Sequence, residues 1–223
     1  MSGPLRALLR KELRLELRTL AALPAMMLFA VSLFVLAHFT LNRSVLEGDL
    51  AAGVLWIALL LASLLGANRL FVADVQQGGL EGFMLAPVER SLLLLSKVIV
   101  MLVFLLALEI IAVPAFAVLL LGPPLGPAIG WLALLLALAD VGIALVAVLV
   151  SALASRTRAR DLFVALIGLP LMLPIAIGAA RGSAPLLAFA AHAPAARWPL
   201  MIGLYDLILG LIAFALFDFL VEE

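Results

Sequence analysis

The sequence predicts an all-α polytopic membrane protein, with six transmembrane helices preceded by an amphipathic interfacial helix. Three observations predict it. First, 67% of the 223 residues are hydrophobic and only 13% are charged, with a mean hydropathy of +1.31; no globular surface hides that much apolar area. Second, the apolar residues gather into six stretches that approach or exceed the roughly 20 residues a helix needs to cross a hydrocarbon core of about 30 Å. Third, the formal net charge is zero, yet lysines and arginines concentrate on alternate connections, which is the signature of a chain threaded through a bilayer. Helices are required because an open sheet leaves its backbone unsatisfied in lipid.

The chain opens on LRALLRKELRLELR, residues 5–18. Its leucines (Leu5, Leu8, Leu9, Leu13, Leu17, Leu20) share one side of a helix, and Arg6, Arg10, Arg14 and Arg18 share the other. A helix of this pattern lies in the headgroup plane with its apolar face down. No short apolar core with a small-residue cleavage site follows, so a removed signal peptide is not expected.

The six spans are expected at residues 21–41, 50–71, 91–121, 128–154, 162–180 and 199–221, all within a single transmembrane domain. Pro24, Pro114, Pro170 and Pro174 fall within them, and each deletes a helix hydrogen bond and invites a kink. The closely spaced pair Pro170 and Pro174 marks a bend or hinge in the fifth span.

Orientation follows from the charges. Arg6, Arg10, Lys11, Arg14, Arg18, Arg69, Arg90, Lys97, Arg156, Arg158 and Arg160 share one side, eleven in all, against Arg43, Arg181 and Arg197 on the other. The positive-inside tendency puts both termini in the cytoplasm. The opposite connections are 42–49, the uncharged turn 122–127 and a longer loop 181–198, in which a re-entrant or interfacial helix over 185–191 is one option.

The polar island RLFVADVQQGGLEGFMLAPVERSLLLLSK, residues 69–97, lies on the cytoplasmic side between spans two and three. Asp74, Gln76 and Gln77 lead to a Gly78-Gly79 break. A short helix over 80–85 carries Glu81, and Pro87 stops it before Glu89 and Arg90. The pattern suits either an ordinary polar loop or a docking surface that passes force from a soluble partner into the membrane helices.

Glu109, Asp140, Asp206 and Asp218 are acids inside the spans, where a carboxyl group is a functional candidate. With no cationic partner in the spans, contact between helices or with a partner is a better expectation than a proton relay. His38 and His192 both map to the outer side and are weak candidates for iron ligands. The chain has no cysteine, no nucleophile–base set, no HExxH and no phosphate loop of the GxxxxGK[ST] type. An integral-membrane enzyme would need polar groups converging at one depth, which these scattered acids do not supply. Any ATP used must therefore be bound by another chain, and neither a directly bound cofactor, nor a metal, nor a nucleic-acid partner is expected.

Read together, LRKELRLELR, then VLWIALLLASLLGANRLF leading into the island RLFVADVQQGGLEGFMLAP, then Lys97-Val98 and finally GLPLMLPIAIGA resemble the CcmB family. That family is the membrane subunit of the haem exporter used in cytochrome c maturation. The resemblance runs the length of the chain. Its most specific part is Trp56 through Pro87, where Arg69, Leu70, Phe71, Asp74, Gln76, Gly78, Leu80, Glu81, Leu85 and Pro87 fit the family pattern. Val72-Ala73 and Gln77 stand where the pattern carries further charge.

The resemblance implies a type-2 ABC exporter-like fold in the bacterial inner (plasma) membrane. It implies several partners: a separate ABC ATPase subunit that binds ATP, a haem-handling membrane subunit, a small single-span subunit and a periplasmic haem chaperone. ATP hydrolysis would then drive haem delivery or release of the loaded chaperone, with this chain non-catalytic and haem handled by the complex. A permease of the same class that carries lipid-linked sugar, drug or peptide is the alternative. On either reading Arg69, Asp74, Gln76, Gly78, Leu80, Glu81, Phe83, Met84, Pro87 and Arg90 form the expected ATPase-coupling set. Exposed ion pairs of Asp74, Glu81 and Arg90 are worth about 0–1 kcal/mol each, so the apolar face of Leu80, Phe83 and Met84 supplies the grip. Arg69 and Lys97 link the segment to spans two and three.

Overall fold

The computed structural model describes residues 22–41, 45–70, 90–154 and 160–222, together with the isolated positions 6, 9, 10 and 14. Six long helices follow one another: α1 (Leu23–Thr40), α2 (Gly48–Arg69), α3 (Arg90–Leu119), α4 (Ile129–Ala154), α5 (Arg160–Ser183) and α6 (Arg197–Glu222). All six are long and apolar enough to cross a membrane, and no strand occurs among the described residues. The chain is an all-α, multi-pass membrane protein. The helices start and stop within three residues of the apolar stretches. In lipid, helix ends sit where apolar sequence gives way to residues that want water.

Near the N-terminus positions 6, 9, 10 and 14 are helical. Arg6, Arg10 and Arg14 are exposed, and Leu9 packs against the core. This is the division of faces that an amphipathic helix produces.

α2 and α4 form the centre of the bundle. α2 packs on α1, α3, α4 and α5, and α4 packs on α2, α3, α5 and α6. Both carry small residues at their contacts, among them Ala51, Ala52, Ala58, Ala62 and Ala67 on α2 and Ala139, Gly142, Ala144 and Ala147 on α4. With no hydrophobic force between helices in lipid, close backbone approach through small residues is what packing depends on. α1 and α6 lie at the periphery, and their exposed Leu28, Leu36, Phe39, Leu204, Leu207 and Leu211 form part of the lipid-facing surface.

Gly142 is the tightest of these approaches: a Cβ there would run into the Asp206 carboxylate and the Ile175 side chain. Gly142→Ala is expected to cost about 1–3 kcal/mol by overpacking the α4–α5–α6 junction. Thermal unfolding in detergent checks this, and an unchanged midpoint would show that α6 shifts freely to make room.

At the end of the bundle remote from the end of α2 and the start of α3, two connections are tied together. Leu46 N–H donates to Leu120 O at 2.7 Å, and Gly122 N–H donates to Leu46 O at 3.0 Å. Gly48 opens α2 with φ of +58°, a left-handed conformation that glycine adopts without steric cost.

Three details of the sequence reading change. Pro24 is not an internal kink: it lies in the first turn of α1, where the missing N–H would be unpaired anyway. The option of a helix over 185–191 reduces to one 3₁₀ turn, Ala184–Leu187, because α5 continues to Ser183 and leaves too little chain. The third concerns the intramembrane acids, described below.

Candidate functional site

Of the ten residues expected to couple the chain to an ATPase, Asp74, Gln76, Gly78, Leu80, Glu81, Phe83, Met84 and Pro87 lie outside the described residues. Arg90 is the first residue of α3. Arg69 is the last residue of α2 and is exposed. What the structure defines is how the two helices that carry the segment are joined.

A helix leaves its last four carbonyls without internal partners. At the end of α2 two buried carbonyls are met by side chains from two other helices. Ser151 Oγ on α4 donates to Ala67 O at 2.7 Å, and Lys97 Nζ on α3 donates to Leu70 O at 2.9 Å. Lys97 is 0% exposed. Burying an ammonium is costly unless it finds hydrogen bonds, and the negative end of a helix is where a cation gains most. Lys97 stands seven residues beyond Arg90, about two turns and roughly 10 Å along α3, so it braces the helices from below the segment. Asn68 adds a buried Oδ1 with no partner among the described residues. These two bonds join the end of α2 to α3 and to the end of α4. Ser151 had no signal in the sequence, being one serine in an apolar run; Lys97 had one, as the last residue of the polar island and part of its link to spans two and three.

Pro170 and Pro174 both lie within the continuous helix α5. The stretch between them is held from two sides. Tyr205 OH on α6 donates to Leu171 O at 3.0 Å, and Ser63 Oγ on α2 stands 3.9 Å from Met172 Sδ.

The acids are not scattered in the way the sequence suggested. Glu109 on α3 and Asp140 on α4 are close neighbours, because two antiparallel helices joined by a short turn bring those positions together. Asp206 is separate and packs against Gly142. His38 Nδ1 lies 2.7 Å from Leu119 O, and His192 Nδ1 lies 3.2 Å from Ala190 O within its own loop. Among the described residues no group of His, Cys, Asp and Glu is placed to hold a metal ion.

The sequence model of the family described as "CcmB protein" matches residues 4–220. Curated relatives share that character. "Heme exporter protein B" of Pseudomonas aeruginosa is 34% identical over 180 residues, covering 79% of each chain. That of Rhodobacter capsulatus is 29% identical over 174 residues, covering 78% of this chain and 79% of the relative. That of Escherichia coli K12 is 36% identical over 90 residues, 40% of this chain and 41% of the relative.

Proposed function

The chain belongs to the CcmB family, and from that we propose that it is the transmembrane subunit that couples ATP hydrolysis by a separate ATPase to haem delivery in cytochrome c biogenesis. The observation that carries the reading is the buried Lys97–Leu70 brace beneath a polar segment whose sequence fits the family pattern. The relatives, each named "Heme exporter protein B", supply the cargo class.

In this proposal the termini and segment 71–89 face the cytoplasm. An ATPase dimer closes on nucleotide and grips the segment around Leu80, Glu81, Phe83 and Met84. Because Lys97 and Ser151 fasten the end of α2 to α3 and α4, displacement of the segment tilts the helices together instead of unravelling the last turn of α2. Pro170 and Pro174 provide a place for α5 to bend in response. The far surface then changes its fit to a haem-handling membrane subunit, a small single-span subunit and the haem-loaded chaperone. The equilibrium moves only by the difference in partner affinity between the two states.

Glu81→Ala is expected to lower the amount of ATPase recovered with the tagged protein several-fold, because an interfacial charge is lost from a small contact, while the monodisperse membrane protein remains. Full recovery of the ATPase with this variant would remove Glu81 from the docking surface. Purification of the native complex followed by mass spectrometry tests the whole reading: an ATPase with a haem-containing membrane subunit is the expected result.

A further inference from the structure

Remote from the end of α2 and the start of α3, the start of α2, the end of α5 and the start of α6 border an open surface cavity of about 580 Å³, lined by Asp49, Arg181, Arg197, Trp198, His192 and the 3₁₀ turn after α5. Its charged groups are already positioned. Arg181 Nη1 donates to Asp49 Oδ1 at 3.2 Å, a single contact that leaves the rest of the guanidinium fork available. The Arg197 guanidinium lies over the Trp198 ring, 4.9 Å from its centroid, and it has no ion pair among the described residues. Two guanidinium groups and one carboxylate, Asp49, line the cavity, and the Glu47 carboxylate beside it accepts from Phe189 N–H at 3.2 Å.

What continues from the cavity is apolar. Leu200, Leu204, Leu207 and Leu211 stand 3, 7, 10 and 14 residues beyond Arg197, which places them on its side of α6, and each is more than half exposed. A fixed cation at the membrane boundary, an aromatic ring of the kind enriched there and an unbroken leucine stripe leading toward the bilayer centre form a single polar-to-apolar gradient.

We propose that this cavity binds the phosphate head of a membrane phospholipid, with Arg197 and the free N–H groups of Arg181 on the phosphate oxygens and the acyl chains along the leucine stripe of α6. Arginine suits the task because its planar fork presents paired donors to a phosphate. Asp49 holds Arg181 in place. The site is remote from the end of α2 and the start of α3.

The test is native mass spectrometry of the delipidated full-length protein in detergent, titrated with dioleoylphosphatidylglycerol, with dioleoylglycerol, which lacks the phosphate, and with inorganic phosphate. One phosphatidylglycerol per chain is expected to bind about fivefold more tightly than dioleoylglycerol. Arg197→Gln should abolish that preference, and Arg197→Lys should retain most of it, since one cation near the headgroups is worth about this factor. Monodispersity of both variants on size exclusion guards against misfolding. Equal binding of the two lipids, or an unchanged preference in Arg197→Gln, overturns the proposal. Arg197-dependent binding of inorganic phosphate without preference for the phospholipid reassigns the cavity to free anions, and Arg197-dependent capture of an acidic peptide instead of lipid reassigns it to a protein partner; either result also overturns it.

Discussion

Trp56→Ala is expected to destabilise the bundle by about 3–5 kcal/mol, the range for deleting a large buried aromatic side chain. For a chain of this size that lowers the melting midpoint by roughly 6–20 °C. Trp56 is 2% exposed, on the helix that contacts four of the other five, and its indole Nε1–H donates to Ser183 Oγ at 2.9 Å, joining α2 to the end of α5. The hydroxyl of Ser183 still donates to Ala179 O at 2.8 Å without it. The loss is therefore dominated by the cavity and not by an orphaned polar group. Trp56→Phe, which keeps most of the ring volume, should cost only about 0.5–1.5 kcal/mol for the missing hydrogen bond. Thermal unfolding of both variants in the same detergent separates the two contributions. Equal midpoints would mean that the bundle collapses into the vacated space and that α2 is less central than its contacts indicate.

Lys97→Met should have the largest functional effect. Methionine retains much of the stem but removes the donor, leaving Leu70 O buried and unpaired at a cost of about 1–3 kcal/mol. If the brace holds the coupled arrangement, that cost shifts its equilibrium by roughly 5- to 150-fold. In a host lacking its own copy of the subunit, the variant is expected to insert normally yet restore less than about a tenth of the c-type cytochrome, read by haem staining of membranes. Ser151→Ala removes a neutral hydrogen bond worth about 0.5–1.5 kcal/mol and should act in the same direction more weakly. Normal cytochrome levels with Lys97→Met would show that the brace is dispensable for coupling, whatever its contribution to folding.

The two substitutions mark the boundary of what could be read in advance. Lys97 was counted among the cytoplasmic-side cations and, with Arg69, as the link from the polar segment to spans two and three. Its acceptor was not visible: Leu70 O is a backbone atom 27 residues away, brought to it by the packing of α3 on α2. Trp56 was legible as part of a family pattern, with nothing to indicate a serine 127 residues further on. The pairing of Glu109 with Asp140 was missed for a related reason. Each acid was placed by its depth in its own span, and depth alone does not say which faces of two helices meet.

The cavity at the remote face could not be read at all from local pattern. Asp49, Arg181 and Arg197 sit on three different helices, and only Arg181 and Arg197 were noted, as charges counted for orientation. Their convergence depends on α5 running to Ser183 and on the connection 184–196 returning the chain, so that the start of α6 lines the same cavity as the start of α2.

By itself the sequence determined the number of helices, their limits and the family. Those follow from one-dimensional quantities: runs of apolar residues long enough to span a hydrocarbon core, backbone groups that must pair within a helix, and a family pattern carried by consecutive residues. Only the tertiary structure decided which polar atoms meet. Inside lipid the hydrophobic effect does not sort one helix face from another. The partners of Lys97, Ser151, Trp56 and Arg181 are therefore set by close packing through small residues and by hydrogen bonds between distant segments, and a linear pattern records neither.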